Sequence, residues 1–427
     1  MPVKTNLMRS IILHLHPKKV NEASIAFNRT FGLGGMAALL VVIQIFTGVL
    51  LRFYYAPFSA EAYNSILFLR NQVLFGPFIR NIHYWSGVFL LIIAFLHFIR
   101  VFLTGAYRDD RKVNWLFGLF LLVLIVLLNF TGYLLPWDQL AYWAITVSTN
   151  IIGYLPVAGE SIRTMILGGK ELNASTLQSF YAFHTAVLPL LLLILVIYHF
   201  WRVRKAGGVL VPTTAEDPVM VPVMPNLVFK EFIVALVLIA TLFTFAALFN
   251  APLLDKANPT FSMNPTKAPW YFAGVQELLM HFHPFFAAFI IPTGVLCFLA
   301  SVPFLNYEDA PNGVWFISEQ GRSSTKATAK FAVILTICFI LLNQYVINFE
   351  LLLSPLPAWI SNGIVPLLVL LLIIAGYYNF YLKRFRLTRS ELVQAIFVFI
   401  LAAFIVLTLT GIFLRGKDME LTFPWNV

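Results

Sequence analysis

The chain has 427 residues, of which 60% are hydrophobic, 16% aromatic and 11% charged, with a formal net charge of +10. Soluble proteins carry about 25% charged residues, so the composition excludes an ordinary soluble enzyme, a disordered protein and a coiled coil, and requires a chain solvated mostly by lipid. The basic residues sit in short blocks between apolar runs, as on the cytoplasmic side of a membrane protein, which argues against nucleic acid as the partner.

Residues 1–28 place Lys4, Arg9, Lys18 and Lys19 among Leu and Ile. Without an unbroken apolar core or a small-residue cleavage site this is no signal peptide, and it reads as a basic segment on the membrane surface. Nine apolar runs follow, at 32–54, 78–104, 114–135, 177–202, 229–250, 285–305, 329–349, 363–382 and 392–414. Each approaches the ~20 residues that a helix needs to cross a bilayer, and none alternates as a barrel strand does. The expected fold is therefore an all-α polytopic membrane protein with about nine transmembrane helices. A four-span bundle over 29–210 is joined by the Pro-rich loop 211–228 to two spans (229–306) and three more (307–427). No short internal repeat stands out. With the N-terminus in the cytoplasm, twenty of the 29 Lys and Arg fall on that side, the block Lys383, Arg384, Arg386 and Arg389 most clearly. The positive-inside rule selects that orientation, with the C-terminus outside. Cys297 and Cys338 lie apart in apolar runs and no CxxCH occurs, so neither a disulfide framework nor c-type haem attachment is expected.

Four of the eight histidines lie within spans: His83 and His97 on the second, His184 and His199 on the fourth. A buried imidazole in hydrocarbon needs a partner, which a backbone carbonyl or a neighbouring helix can supply. Steps of 14 and 15 residues are ~21 and ~22 Å along a helix, with the two rings turned by about −40° and +60°. Each pair thus keeps to one broad face. Antiparallel topology sets His83 level with His184 and His97 level with His199. Each level can clamp a planar macrocycle between two helices. Gly34 and Gly48 on the first span and Gly118 and Gly132 on the third repeat the 14-residue interval, and would make room where the ring enters. Arg80 and Arg100, each three residues from a histidine, are placed either to pair haem propionates or to snorkel to the interface.

The run TGYLLPWDQLAYWAITV (131–147), the 14-residue histidine step on the second span and FYAFHTAVLPLLLLILVIYHF (180–200) resemble cytochrome b of the bc1/b6f complexes. The 15-residue step and PWD in place of PWG resemble the chloroplast-type branch. The resemblance covers about residues 20 to 305. It implies two non-covalent b-type haems held by His83 with His184 and His97 with His199. It also implies a quinol-oxidising site near the outer face and a quinone-reducing site near the cytoplasmic face. At the position where the chloroplast-type branch has a cysteine for an extra haem this chain has Gly32, so no thioether is expected there.

The family's quinol-oxidation motif is Pro-Glu-Trp-Tyr. The aligned residues here are Ala268, Pro269, Trp270 and Tyr271, so the acid is missing. Glu277 is the carboxylate between Asp255 and Glu308 and the candidate replacement proton acceptor, with Tyr271 beside it as a catalytic candidate. Burial against an apolar quinone would raise its pKa. His281 and His283 are neighbours. Tyr133, Pro136, Trp143 and Val147 are the candidates for the opposite wall. Lys230 and Glu231, opening the fifth span, match the family's basic–acidic pair for quinone reduction, or else complement the helix terminus.

The resemblance thus implies the redox core of a quinol:cytochrome c (or plastocyanin-like acceptor) oxidoreductase. Bifurcated quinol oxidation would be coupled to proton translocation. The implied setting is a dimeric complex in a prokaryotic inner membrane, with a Rieske-type iron–sulfur protein and a cytochrome c-type subunit. Two other readings remain. A di-haem quinone-reactive anchor of another dehydrogenase would not need the Pro-Trp-Tyr loop, and a transporter with a histidine proton relay would show broken helices.

Overall fold

The computed structural model describes residues 18–211, 219–307, 312–423 and 425. Most of the N-terminal basic segment, part of the Pro-rich loop and Val427 lie outside these residues. Among the described residues nine helices are long and apolar enough to cross a membrane: Leu33–Arg52, Gly76–Leu103, Asp109–Leu134, Ala174–Lys205, Val223–Leu248, Phe286–Phe304, Glu319–Tyr345, Ile360–Phe385 and Arg389–Phe413, numbered first to ninth below. The all-α polytopic fold is as expected. The seventh span shows the largest difference from the sequence boundaries. It starts ten residues early because Ser318 caps it, accepting from the Gly321 amide at 2.9 Å. Its opening turns bury Ser324, Thr325 and Thr328, polar residues that a hydropathy window discounts.

Three spans contain a single π-turn: Phe183–Val187, Phe286–Ile290 and Ile360–Ile364. Each is followed by a proline in the first turn of the next helical stretch. Proline has no N–H to donate and its ring crowds the carbonyl four residues back, and a wider turn at that point accommodates both.

The chain forms two compact units. The first holds the described residues of Met1–Trp137, Leu177–Leu254 and Pro311–Trp315, and so includes the first five spans. The fifth span, which chain order groups with the later spans, packs here against the first and second. Lys19–Asn21 pairs antiparallel with Met220–Pro222, Val20 opposite Val221. Val20, Ile25 and Val223 bury together behind this pairing, so residues 18–25 are tied down by strand and core contacts. The second unit holds Asp138–Thr176, Asp255–Ala310 and Phe316–Val427, of which the described residues include the sixth to ninth spans. Its seventh and ninth spans pack closely, and the helix Ala273–His281 lies on the ninth.

Candidate functional site: two tiers of glycine and histidine

In the first unit the four glycines meet the four histidines one to one. A Cβ built on Gly34 would lie 3.5 Å from His97 Cε1, and one on Gly118 would lie 3.6 Å from His199 Cε1. One on Gly48 would lie 3.2 Å from His83 Cε1, and one on Gly132 only 2.5 Å from His184 Cε1. His83 and His184 face each other with ring centroids 6.2 Å apart at 80°. His97 and His199 lie within electrostatic range of each other. His83 and His184, set level with each other by the sequence reading, thus stand face to face in space.

The His83–His184 tier shows how its rings are oriented. Thr47 Oγ1 donates to the Ile43 carbonyl at 2.7 Å, so towards His83 Nδ1, 2.9 Å away, it is an acceptor. Thr131 Oγ1 likewise donates to the Leu127 carbonyl at 2.9 Å. His184 Nδ1 lies 3.2 Å from that hydroxyl and 3.0 Å from the Leu128 carbonyl. Both Nδ1 atoms thus carry the proton, and both Nε2 atoms keep the lone pair that a metal takes. The centroid separation matches two metal–imidazole bonds of ~2.0–2.1 Å plus two ring radii. Glycines at which a Cβ would crowd the imidazoles, fixed tautomers and this spacing fit a haem that His83 and His184 would hold.

Thr47 and Thr131, which contact these two rings, are missing from the sequence candidates. Their signal is a repeat: FTGVLL (46–51) and FTGYLL (130–135) differ at one position. A short internal repeat therefore does exist, and each copy delivers one threonine–glycine pair to one histidine. Gln44 adds a further hold on this tier, donating to the His83 carbonyl at 2.5 Å and to Ser86 Oγ at 2.7 Å. His184 sits inside the Phe183–Val187 π-turn, which takes up the extra residue in the 15-residue step.

The arginines are anchored to backbone. Arg80 donates to the carbonyls of Ala251 and Pro252 at 2.8 and 2.6 Å. Arg100 is buried and donates from Nε to the Arg29 carbonyl at 2.8 Å. Lys230 Nζ donates to the Ile25 carbonyl at 2.9 Å, and Glu231 beside it is exposed. Tyr133 and Pro136 follow Gly132 at the end of the third span, half-buried. Gly32 opens the first span at φ +67°, a left-handed position suited to glycine.

In the second unit, Trp143 and Val147 lie on the helix Gln139–Ile152. Val147 is exposed, and Trp143 Nε1 has no hydrogen-bond partner among the described residues. Asp138 is this helix's N-cap, accepting from the Ala141 amide at 2.9 Å. We expect Asp138→Ala to destabilise the helix by ~0.5–2 kcal/mol, read as a lower melting temperature of the purified complex. Trp270 and Tyr271 form a single helical turn ahead of Ala273–His281, their rings edge-on with centroids 5.7 Å apart.

Glu277 departs from expectation. It is fully buried. Arg415 grips both carboxylate oxygens, Nε to Oε2 at 2.9 Å and a terminal nitrogen to Oε1 at 2.6 Å. His281 Nε2 lies 3.0 Å from Oε1. Burial alone would raise the carboxyl, but the hydrogen bonds from His281 and Arg415 and the guanidinium charge outweigh it and hold it below the usual carboxylate range. The raised pKa read from the sequence is thereby corrected, because His281 and Arg415, the latter 138 positions away, reverse the sign.

A family model described as cytochrome b/b6/petB matches residues 19–207. Cytochrome b6 of Heliomicrobium gestii is 41% identical over 180 residues, which is 42% of this chain and 84% of that protein. Cytochrome b6 of Porphyra purpurea is 42% identical over the same shares. A solved structure titled "Hyperthermophilic respiratory Complex III" superposes over 95% of this chain and 96% of its own, with a TM-score of 0.67 at 23% identity, a likeness of fold. The paired glycine–histidine tiers on apolar spans define a b-type haem protein of the membrane. The chain belongs to the cytochrome b/b6 family, the redox subunits of bc-type quinol oxidoreductases.

Proposed function

We propose that this chain carries two non-covalent b-type haems, one between His83 and His184 and one between His97 and His199, and moves electrons across a prokaryotic inner membrane between two quinone sites. The observation that carries the reading is the double tier, in which four glycines fall against four histidines. The two ligands on each span stand 14 or 15 residues apart, ~21 to ~22 Å along an ideal helix. When bound, each haem supplies one-electron redox chemistry. The chain's own part is to hold the rings by Thr47, Thr131 and the Leu128 carbonyl, and to offer Arg80 and Arg100 to the propionates.

With the N-terminus in the cytoplasm, the Gly48–Gly132 tier lies on the outer side. There Trp270 and Tyr271, with Trp143 and Val147 of the same unit, bind quinol for bifurcated oxidation, coupled to proton translocation. Trp143 supplies an indole N–H of the kind a quinone carbonyl accepts. Tyr133 and Pro136 are assigned to quinone by the family resemblance. At the cytoplasmic side Lys230 and Glu231 serve quinone reduction. A Rieske-type iron–sulfur protein takes the other electron and passes it to a cytochrome c-type subunit, in a dimeric complex.

The test is a reduced-minus-oxidised spectrum and quinol turnover of the purified complex. Two b-type α-bands reduced by quinol are expected. Absence of haem would sink the reading. Haem without quinol oxidation would instead favour an anchor of another dehydrogenase.

A further inference from the structure

The sequence resemblance stops near residue 305 and leaves the last three spans without a role. Their described part ends at the segment following the ninth span, and that segment is bonded repeatedly to the loop carrying Trp270 and Tyr271. Asn264 Nδ2 donates to Asp418 Oδ1 at 2.6 Å, and the Asp418 amide donates back to Asn264 Oδ1 at 2.7 Å. Lys267 Nζ, one residue before the Ala268–Tyr271 turn, donates to the Ile412 carbonyl at 3.0 Å. Beyond the turn, Gly411 and Gly274 lie so close to the opposite element that a Cβ would come within 2.7 Å of the Ala273 carbonyl oxygen and of Thr408 Oγ1, respectively. Then comes the Glu277–Arg415 pair. The turn is thus fastened to the ninth span's last turns on both its N-terminal and C-terminal sides.

The fastening reaches the turn itself through Gln276 on the same helix as Glu277. Its Oε1 accepts from the Ala268 amide at 2.7 Å and its Nε2 donates to the Thr266 carbonyl at 2.8 Å. The cation that anchors the helix is in turn well supported. Arg415 donates to Gln344 Oε1 at 3.1 Å and to the Met419 carbonyl at 2.7 Å. It follows the C-terminus of the ninth span, and Gln344 and Asn343 stand at the C-terminus of the seventh. His281, at the C-terminus of its own helix, lies 2.7 Å from Asn343 Oδ1 through Nδ1. Three helix C-termini, each with a partial negative charge, therefore converge where the guanidinium sits, and Glu277 completes its neutralisation.

We propose that the end of the ninth span, Gly411 to Asp418, is the platform that positions the Pro269–Trp270–Tyr271 turn, with Arg415 and Lys267 as positioning residues and Glu277 as the anchor they hold. This rests on the reading that the turn binds quinol, and it moves Glu277 from proton acceptor to anchor.

The test compares Glu277→Gln, Arg415→Gln, the double variant and Lys267→Met in the purified complex, with b-haem bands checked first. Each of the first two leaves one buried charge unpaired, whereas the double leaves two amides that can bond each other. Displacing a binding group by about an ångström costs on the order of 10²-fold. Quinol turnover is therefore expected to fall roughly 10- to 100-fold in each single variant and to recover most of that loss in the double. Hydrogen–deuterium exchange of residues 264–277 should rise in Arg415→Gln and Lys267→Met and return in the double. A double variant as slow as Glu277→Gln overturns the proposal, because Glu277 would then act on a proton itself. Unchanged exchange over 264–277 in Arg415→Gln and Lys267→Met also overturns it. If Arg415→Gln fails to assemble, the milder Lys267→Met carries the exchange measurement. Loosened exchange in variants of a complex whose parent oxidises no quinol would uphold the platform and refute the quinol reading.

Discussion

On the proposed two-haem reading, His97→Leu or His199→Leu is expected to remove one b-haem band and leave the other. Each tier is closed by one histidine from the second span and one from the fourth, and the tiers share no ligand. Losing one axial imidazole abolishes bis-histidine ligation at that tier, while the Thr47, Thr131 and Leu128 bonds that orient His83 and His184 are untouched. The expected haem content is about half that of the parent, and the surviving band is the same for both variants. His83→Leu and His184→Leu should each remove the other band. The measurement is haem stoichiometry together with low-temperature α-band spectra of the purified complex. If His97→Leu and His184→Leu removed the same band, the pairing would be wrong.

A graded result is expected from the glycines. Gly132→Ala places a methyl where the built Cβ lies 2.5 Å from His184 Cε1, and Gly48→Ala where it lies 3.2 Å from His83 Cε1. The first cannot be accommodated without moving the imidazole, and the second needs a shift of a few tenths of an ångström. At Gly34 and Gly118 the same methyl meets its histidine at 3.5 and 3.6 Å, ordinary contact distances. Overfilling a packed interior costs ~1–3 kcal/mol, roughly 5- to 150-fold in occupancy if it all falls on haem binding. Haem loss should therefore run Gly132→Ala, then Gly48→Ala, with Gly34→Ala and Gly118→Ala near the parent. Leucine at Gly48 or Gly132 should empty that tier. Equal haem loss at Gly118 and Gly132 would show that the glycines serve something other than clearance for the rings.

The anchoring of Arg80 and Arg100 bears on both experiments. Each guanidinium is already held by backbone carbonyls, so under the proposed pairing with propionates its direction is set in advance. Ordering it costs no further side-chain entropy when haem binds, which favours binding by preorganisation.

The membrane-spanning helices, the spacing of the four intramembrane histidines and the family were legible in the residues alone, since each rests on a local or short-period signal. A hydrocarbon-length run announces its own helix, and a 14-residue histidine step places both rings on one face without knowledge of any neighbour. The repeated FTG was equally readable and points to Thr47 and Thr131, yet only their distances to Nδ1 showed what the threonines do. Other features belonged to the tertiary structure. The extra residue in the His184–His199 step is absorbed by a π-turn, so an ideal-helix projection misjudges the angle. The fifth span joins the first four by packing, against the order of the chain. Glu277 was the clearest case, because the charge of a buried carboxylate depends on what faces it. Burial alone argues for a raised pKa, and the hydrogen bonds from His281 and from Arg415, the latter remote in sequence and bidentate in space, reverse that. Long-range ion pairing leaves no periodic trace in a single sequence, so only the folded chain could decide it.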